Sequence, residues 1–198
     1  LAFSPERIDP GNKHFDVTQI PKVVGGLSPE CTQLTAALYG KVIKHVHPVS
    51  STRAAEMTKL LENSFRIVNI GWINEIAQTC HKMGIDVWEV INAAATKPFG
   101  FMSFQPGPGV GGHCIPVDPS YLAYVAENVG VPAEFIKRAN QVNLGMPAYV
   151  VLRVAKDVGS LKGKKVVVVG ISYKANVSDT REAPAALVIE ELKKQGAD

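Results

Sequence analysis

The chain has 198 residues, 46% of them hydrophobic, with 21 Lys and Arg against 18 Asp and Glu for a formal charge of +3. Apolar content of that order supports a packed core and argues against disorder, and the interspersed charges form no single-sign block of the kind that grips nucleic acid or an anionic membrane. No apolar run approaches the ~20 residues a membrane-spanning helix needs, and Leu1-Ala-Phe-Ser-Pro-Glu-Arg7 lacks the basic start and apolar stretch of a signal peptide, so a cytoplasmic protein is expected.

Residues 1 to 50 alternate short elements: a strand at Leu1–Phe3, a strand at Lys22–Gly25 after Pro21, a helix from Pro29 to Tyr39, and a strand at Ile43–Val46 before Pro48. This reads as the tail of an α/β layer. Ser50-Ser51-Thr52 then offers an N-cap, and Met57, Leu61, Phe65, Val68, Trp72, Ile76, Cys80 and Met83 follow at spacings of three or four, ending at Gly84. A helix of about 30 residues at ~1.5 Å each is long enough to cross a small domain or pack along a second copy, and a helix of that length organises an interface. Shorter helices are predicted at Asp86–Thr96, Pro119–Val129 and Ala133–Val158. From Gly163 the character changes to an apolar strand, Val166–Val169, a turn at Gly170 and a helix from Arg181 to Gln195, the opening unit of a second parallel α/β layer. The predicted fold class is therefore α/β ends flanking an all-α centre, divided at 1–50, 51–159 and 160–198. Both ends look abrupt, as in an excerpt of a longer protein.

Cys31, Cys80 and Cys114 form an odd set without a CxxC pair, which argues against a disulfide framework or a structural zinc site. Cys31 and Cys80 fall in helical stretches and are expected to be buried. Cys114 differs. It lies in the turn-rich segment Gly107-Pro-Gly-Val-Gly-Gly-His-Cys-Ile-Pro-Val-Asp-Pro119, through which neither a helix nor a central strand runs. Gly107, Gly109 and Gly112 satisfy the G-x-G-x-x-G dinucleotide pattern, but no strand precedes them and no helix opens at Gly112, so the NAD fingerprint is rejected. Such glycines instead let backbone amides approach a ligand and hold a thiol near it.

Asp118-Pro119 reads as N-cap and first residue of a helix whose dipole faces the thiol. A capping carboxylate and a catalytic one fit Asp118 equally well at this level. His113 adjoins the thiol, yet neighbouring side chains of an extended loop diverge, which disfavours a Cys-His dyad, and no further ligands accompany them to build a metal site. On the long helix Glu56, Lys59 and Asn63 share one face, which is either a solvated Glu-Lys face or a lysine and an amide placed to polarise an oxygen and fix a water.

Four ordered motifs carry a resemblance: Ser4-Pro-Glu-Arg7 with Asp9-Pro-Gly-Asn12, Ala55-Glu-Met-Thr-Lys-Leu-Leu-Glu-Asn63, Gly107 to Cys114 with Pro116-Val-Asp118, and Gly170-Ile-Ser-Tyr-Lys174 with Asp179-Thr-Arg-Glu182. Through these, over essentially its whole length, the chain resembles the UDP-glucose/GDP-mannose dehydrogenase family. The resemblance implies an NAD-binding Rossmann domain, a helical dimerisation centre and a UDP-sugar-binding α/β domain, with this chain carrying the end of the first, the whole second and the start of the third. It further implies NAD as cofactor and two hydride transfers that turn a C6 alcohol into a carboxylate.

By matched position Cys114 would capture the aldehyde as a thiohemiacetal, Lys59 would stabilise oxyanions, and Asn63 would hold the reacting oxygen or water. Asp118 would be the general base and Glu6 would assist hydrolysis. Arg7, Phe99, Gly100, Gly109, Gly111, Gly112 and Lys174 would contact the UDP-sugar, and Arg181 the cofactor. Val117 stands where UDP-glucose enzymes carry a lysine, and His113 where they carry a small residue, which favours an N-acetylated hexosamine, expected to be the glucosamine form. The mannosamine and glucose substrates are the same-class alternatives. A dimerisation and nucleotide-sugar-binding piece without turnover of its own is the alternative of another class.

Overall fold

A computed structural model describes residues 1–198, which form two compact units, Leu1–Asn63 and Ser64–Asp198. In the first unit the strands β1 (Ala2–Phe3), β2 (Lys22–Gly26) and β3 (Val46–Val49) form one sheet in that order, with helix α1 (Pro29–Tyr39) between β2 and β3. β1 runs antiparallel to β2, pairing Ala2 with Gly26, and β3 runs parallel to β2, pairing Lys22 with Val46 and Gly25 with Val49. A parallel pair needs a crossover, and α1 supplies it. Ser28 caps α1, its Oγ accepting from the Cys31 amide, and Pro29 occupies the first turn, where a missing N–H costs nothing. Thr32 ties α1 to β2: its Oγ1 accepts from the Gly26 amide at 2.8 Å and donates to the Ser28 carbonyl. Val23 and Val24 are buried, as expected of a strand covered on its faces.

Two expectations shift here. The third strand lies at Val46–Val49, three residues beyond the predicted Ile43–Val46, and it contains Pro48. Pro48 is tolerated because β3 is an edge strand, where a missing ladder donor can face away from the neighbour. Cys31, at the first turn of α1, is half-exposed rather than buried.

The long helix α2 spans Thr52–Met83, and Ser51 caps it through its Oγ to the Ala54 amide at 3.2 Å. In the second unit it is followed by α3 (Val87–Ala95), α4 (Asp118–Asn128), α5 (Glu134–Val158) and α6 (Pro184–Lys194). Asp86 caps α3 through the Trp88 amide. Ile73, Ala77 and Cys80 of α2 pack with Val87 and Ile91 of α3 in one core cluster, and Val151 of α5 with Leu161, Val188 and Leu192 in another.

α2 and α5 run side by side in parallel, which the matched pairs Asn74–Asn143, Gln78–Met146 and His81–Tyr149 fix at an offset of about 68 residues. At their closest approach a Cβ on Gly71 would lie 2.9 Å from the Ala139 Cα, so only glycine lets the two backbones meet there. The predicted apolar stripe of α2 divides, with Cys80 buried as expected and Ile76 packed against the same cluster. Gly71, Ile73, Asn74 and Ala77 are buried, whereas Phe65, Trp72 and Met83 of the anticipated apolar stripe are exposed, Trp72 at 54%. Spacing identifies which residues share a face, and the close crossing selects small and amide residues for the buried one.

The valine run 166–169 is not part of a sheet, and Val167 and Val169 are largely solvent-exposed. A strand exists only through its ladder, and the partners here are confined to the last residues: Gly163 donates to Gly196, Asp198 to Lys164 and Val166 to Asp198, the slanted alternation of a parallel pair. α6 begins at Pro184, later than the predicted Arg181, because Glu182 takes a left-handed backbone (φ 51°) that no helix continues. No helix is long and apolar enough to cross a membrane.

Candidate active site

Four predicted site residues lie in the first unit. Glu6 and Arg7 follow β1, and Arg7 is fixed against α2 by an ion pair with Glu62 at 2.7 Å, while its Nη1 donates to the Pro21 carbonyl at 2.6 Å. Glu62 directly precedes Asn63 and stands three residues after Lys59, so the structure brings the Ser4–Arg7 motif to the segment of α2 that carries both. Asn63 is buried and Lys59 half-buried. Burial pushes the Glu6 carboxyl up, but hydrogen bonds from the Ile8 and Arg7 amides, together with the Lys22 ammonium 3.2 Å away, hold it below the usual carboxylate range. Glu6 is thus ionised at neutral pH and able to accept a proton or a hydrogen bond from water.

The second unit holds the thiol. Cys114 is exposed, and its carbonyl accepts from the Asp118 amide at 2.8 Å and from the Val117 amide at 3.2 Å. These bonds make a turn that runs straight into α4. Consequently Val117, with no side-chain bond, is the N-cap, and Asp118 is the first helical residue rather than the predicted cap. Its carboxylate still sits at the positive end of α4, four residues from the thiol.

Upstream, the glycine segment is held from two sides. The Gly107 amide donates to the Asn74 Oδ1 at 2.9 Å, the Asn74 Nδ2 donates to the Asn143 Oδ1 at 2.9 Å, and the Asn143 Nδ2 donates to the Ile67 carbonyl at 3.2 Å. This buried chain joins α2, α5 and the loop. On the other side a Cβ at Gly111 would fall 2.5 Å from the Glu182 carbonyl oxygen, and one at Gly112 would meet the Tyr173 ring at 3.0 Å. Gly109 packs near the Asn143 carbonyl and Pro184. Gly111→Ala is therefore expected to destabilise the protein by about 2 kcal/mol, because the clash is with backbone that cannot step aside; an unchanged urea midpoint would contradict this packing.

His113 is engaged by Asp179. Its Nε2 lies 2.6 Å from the Asp179 Oδ2, and its ring meets Tyr173 edge-on at 6.3 Å. Asp179 also accepts from the Arg181 Nε at 3.0 Å and Nη2 at 2.8 Å. The Arg181 guanidinium first, and the His113 ring second, hold the Asp179 carboxyl well below the usual range. Arg181, predicted at the cofactor, is here folded onto Asp179. Lys174 lies in the same segment, its carbonyl accepting from the Ser172 hydroxyl. Phe99 is exposed beneath the Lys97 ammonium, 5.2 Å from its ring centroid, and Gly100 has a left-handed backbone (φ 70°). A cleft of about 150 Å³ lies between α5 and the loop, lined by Gly109, Val110, Pro116, Asn140, Asn143 and Leu187 among others; Cys114 does not line it.

Asn74, Asn143, Tyr173 and Asp179 were not picked out by sequence reasoning. Each acts through a partner more than 30 residues away, so no local spacing marks it. For Tyr173 and Asp179 a signal was at hand, since they stand in the Gly-Ile-Ser-Tyr-Lys and Asp-Thr-Arg-Glu motifs.

A fold of α/β segments flanking long helices, with a thiol loop seated on a second α/β beginning, has clear counterparts. Residues 53–144 match the central domain of the UDP-glucose/GDP-mannose dehydrogenase family and residues 167–198 its UDP-binding domain, in that order. The chain belongs to this family.

The UDP-N-acetyl-D-glucosamine 6-dehydrogenase of Pseudomonas aeruginosa is 41% identical over 196 residues, covering 96% of this chain and 46% of the relative. The NDP-N-acetyl-D-galactosaminuronic acid dehydrogenase of Ralstonia nicotianae is 37% identical, covering 98% and 45%. Among solved structures, the UDP-D-ManNAc dehydrogenase of Pyrococcus horikoshii superposes with a TM-score of 0.87 at 32% identity, covering 98% of this chain and 47% of that one. The chain thus spans about half the length of the relatives it matches.

Proposed function

We propose that this chain is the central part of an NAD-dependent dehydrogenase that oxidises the C6 alcohol of a UDP-N-acetylhexosamine, in the glucosamine form, to the uronic acid. The observation that carries this reading is the exposed Cys114, bonded through its carbonyl to the first turn of α4 so that thiol and Asp118 sit at one helix N-terminus. Residues 1–50 would close the NAD-binding domain, 51–159 would form the centre, and 160–198 would open the UDP-binding domain.

The residues of this chain do not themselves form a dinucleotide cradle: the glycines of the loop face Tyr173, Glu182 and Pro184, and no helix opens at Gly112. NAD supplies the hydride acceptors of the reaction. The chain's own residues do the rest. Cys114, as thiolate, adds to the C6 aldehyde and gives a tetrahedral thiohemiacetal; its oxidation leaves a thioester, and water then displaces the sulfur to release the carboxylate and restore the thiol. Lys59 stabilises the oxyanion at each tetrahedral stage and Asn63 fixes the reacting oxygen. Asp118 takes the proton from the hydroxyl, and Glu6 receives one from the attacking water. Arg7, Phe99, Gly100, Gly109, Gly111, Gly112 and Lys174 would hold the sugar nucleotide, and Arg181 would lie near the cofactor.

The second copy of a homodimer is assigned to α2, whose Met57, Leu61, Phe65 and Trp72 are exposed at helical spacing. Exposed apolar faces of this kind mark association surfaces.

The relatives, dehydrogenases of UDP-N-acetyl-D-glucosamine and UDP-N-acetyl-D-mannosamine and an NDP-N-acetyl-D-galactosaminuronic acid dehydrogenase, support the N-acetylated substrate class and keep the mannosamine form as the second reading. Assay of the whole protein with UDP-glucose, UDP-N-acetylglucosamine and UDP-N-acetylmannosamine is the test. Two NADH per sugar, with UDP-N-acetylglucosamine turned over at least tenfold more efficiently than UDP-glucose, is expected. A preference for UDP-glucose would overturn the N-acetyl assignment.

A further inference from the structure

We propose that His113 is a positioning residue, a clasp that fixes the thiol loop onto the segment 173–182 and so sets the direction of Cys114. Three consecutive residues of the loop lie on that segment. Gly111 packs on the Glu182 carbonyl closer than any side chain permits, Gly112 packs tightly on the Tyr173 ring, and His113 then bonds Asp179 through Nε2 at 2.6 Å with its ring edge-on to Tyr173. The very next residue is Cys114, whose carbonyl is already tied to the Val117 and Asp118 amides. The thiol-bearing residue is therefore held on both sides, by the clasp before it and by the start of α4 after it. With His113 committed to Asp179 and the Cys114 carbonyl committed to the turn that enters α4, the backbone carrying the exposed thiol is fixed on both sides.

The partner side is itself braced. The Asp179 carbonyl accepts from the Tyr173 amide at 3.1 Å, its carboxylate is shared with Arg181, and Glu182 holds a left-handed backbone that a non-glycine residue adopts only under constraint. The imidazole donates from Nε2 both as imidazolium and as the neutral Nε2–H tautomer, so the clasp does not depend on its charge. An asparagine in place of Asp179 presents a weaker, neutral acceptor. Asp179 lies in the region that matches the UDP-binding domain, so the clasp ties that region to the thiol loop.

Hydrogen exchange of the whole protein, read by mass spectrometry on the peptide 107–118, tests the clasp without reference to catalysis. His113→Ala is expected to speed exchange of that peptide about fivefold, the scale of one partly exposed hydrogen bond lost from a local opening, while peptides of α5 stay unchanged. His113→Gln, which restores a donor near the Nε2 position, is expected to remain within twofold of the parent. Asp179→Asn should speed exchange in the same peptide, and adding it to His113→Ala should produce no further change. Unaltered exchange in His113→Ala, equal acceleration in Ala and Gln variants, or additive effects in the double variant would each overturn the proposal. The kinetic consequence rests on the dehydrogenase reading above: kcat of His113→Ala should fall about tenfold at an unchanged KM for the UDP-sugar, with Gln recovering most of it. A raised KM at full kcat would mean that His113 touches substrate and is no clasp. Absent dehydrogenase activity in the parent would sink the functional reading and leave the exchange result standing.

Discussion

Cys114→Ser is expected to abolish net acid formation, by on the order of 10³-fold or more, while the affinity for UDP-sugar is retained. An alkoxide is far harder to form than a thiolate, and an oxygen ester would leave more slowly than a thioester, so the substitution handicaps both halves of the covalent route. The side chain is exposed and its position is fixed by backbone bonds of its carbonyl, so the loop has no reason to move when sulfur becomes oxygen. Binding of UDP-sugar, measured by calorimetry, should stay within about threefold of the parent. Undiminished acid production would remove Cys114 from the mechanism.

The second large effect is on stability. Asn74 is fully buried, and its carboxamide is spent at both ends, on the Gly107 amide and on the Asn143 Oδ1. Asn74→Leu keeps the volume and removes both bonds, leaving a loop amide and a buried carbonyl oxygen without partners at about 1–3 kcal/mol each. A loss of about 3 kcal/mol is expected, which lowers Tm by roughly 10 °C in a chain of this size. Because Gly107 opens the thiol loop, the same change should loosen the loop as well as the helix pair. A thermal midpoint within about two degrees of the parent would show that the amide chain contributes nothing to stability.

The helices of the centre were legible because each carries its own punctuation. Asp86 caps α3, Pro119 marks the first turn of α4, and Gly130 and Pro132 separate it from α5. What spacing alone did not reveal is which face of α2 is buried. Met57, Leu61 and Phe65 share a stripe, yet Gly71 and Asn74 meet α5, since a close parallel crossing selects small side chains and amides that satisfy one another. Val166–Val169 has the composition of a strand, but pairing is a property of two segments, and only Gly196–Asp198 lie beside its start.

The site divides in the same way. The thiol, its turn-rich loop and Asp118 are adjacent in the chain and were visible together. The His113–Asp179 contact bridges 66 residues, and the Asn74–Asn143 contact 69, so only the folded chain displays them. The misassigned cap has a local cause: the Cys114 carbonyl, not a side chain, satisfies the amide of Asp118, an economy of backbone that composition does not encode.

The covalent role of Cys114 is the central claim, and acid-quenched turnover followed by mass measurement of the peptide that contains it is the most direct test. With UDP-N-acetylglucosamine and NAD present, the account predicts a transient gain equal to the uronyl group of the sugar nucleotide on Cys114, absent from Cys31 and Cys80 and from the Cys114→Ser protein. Two NADH released per sugar while the Cys114 peptide stays unmodified at every quench time would contradict it.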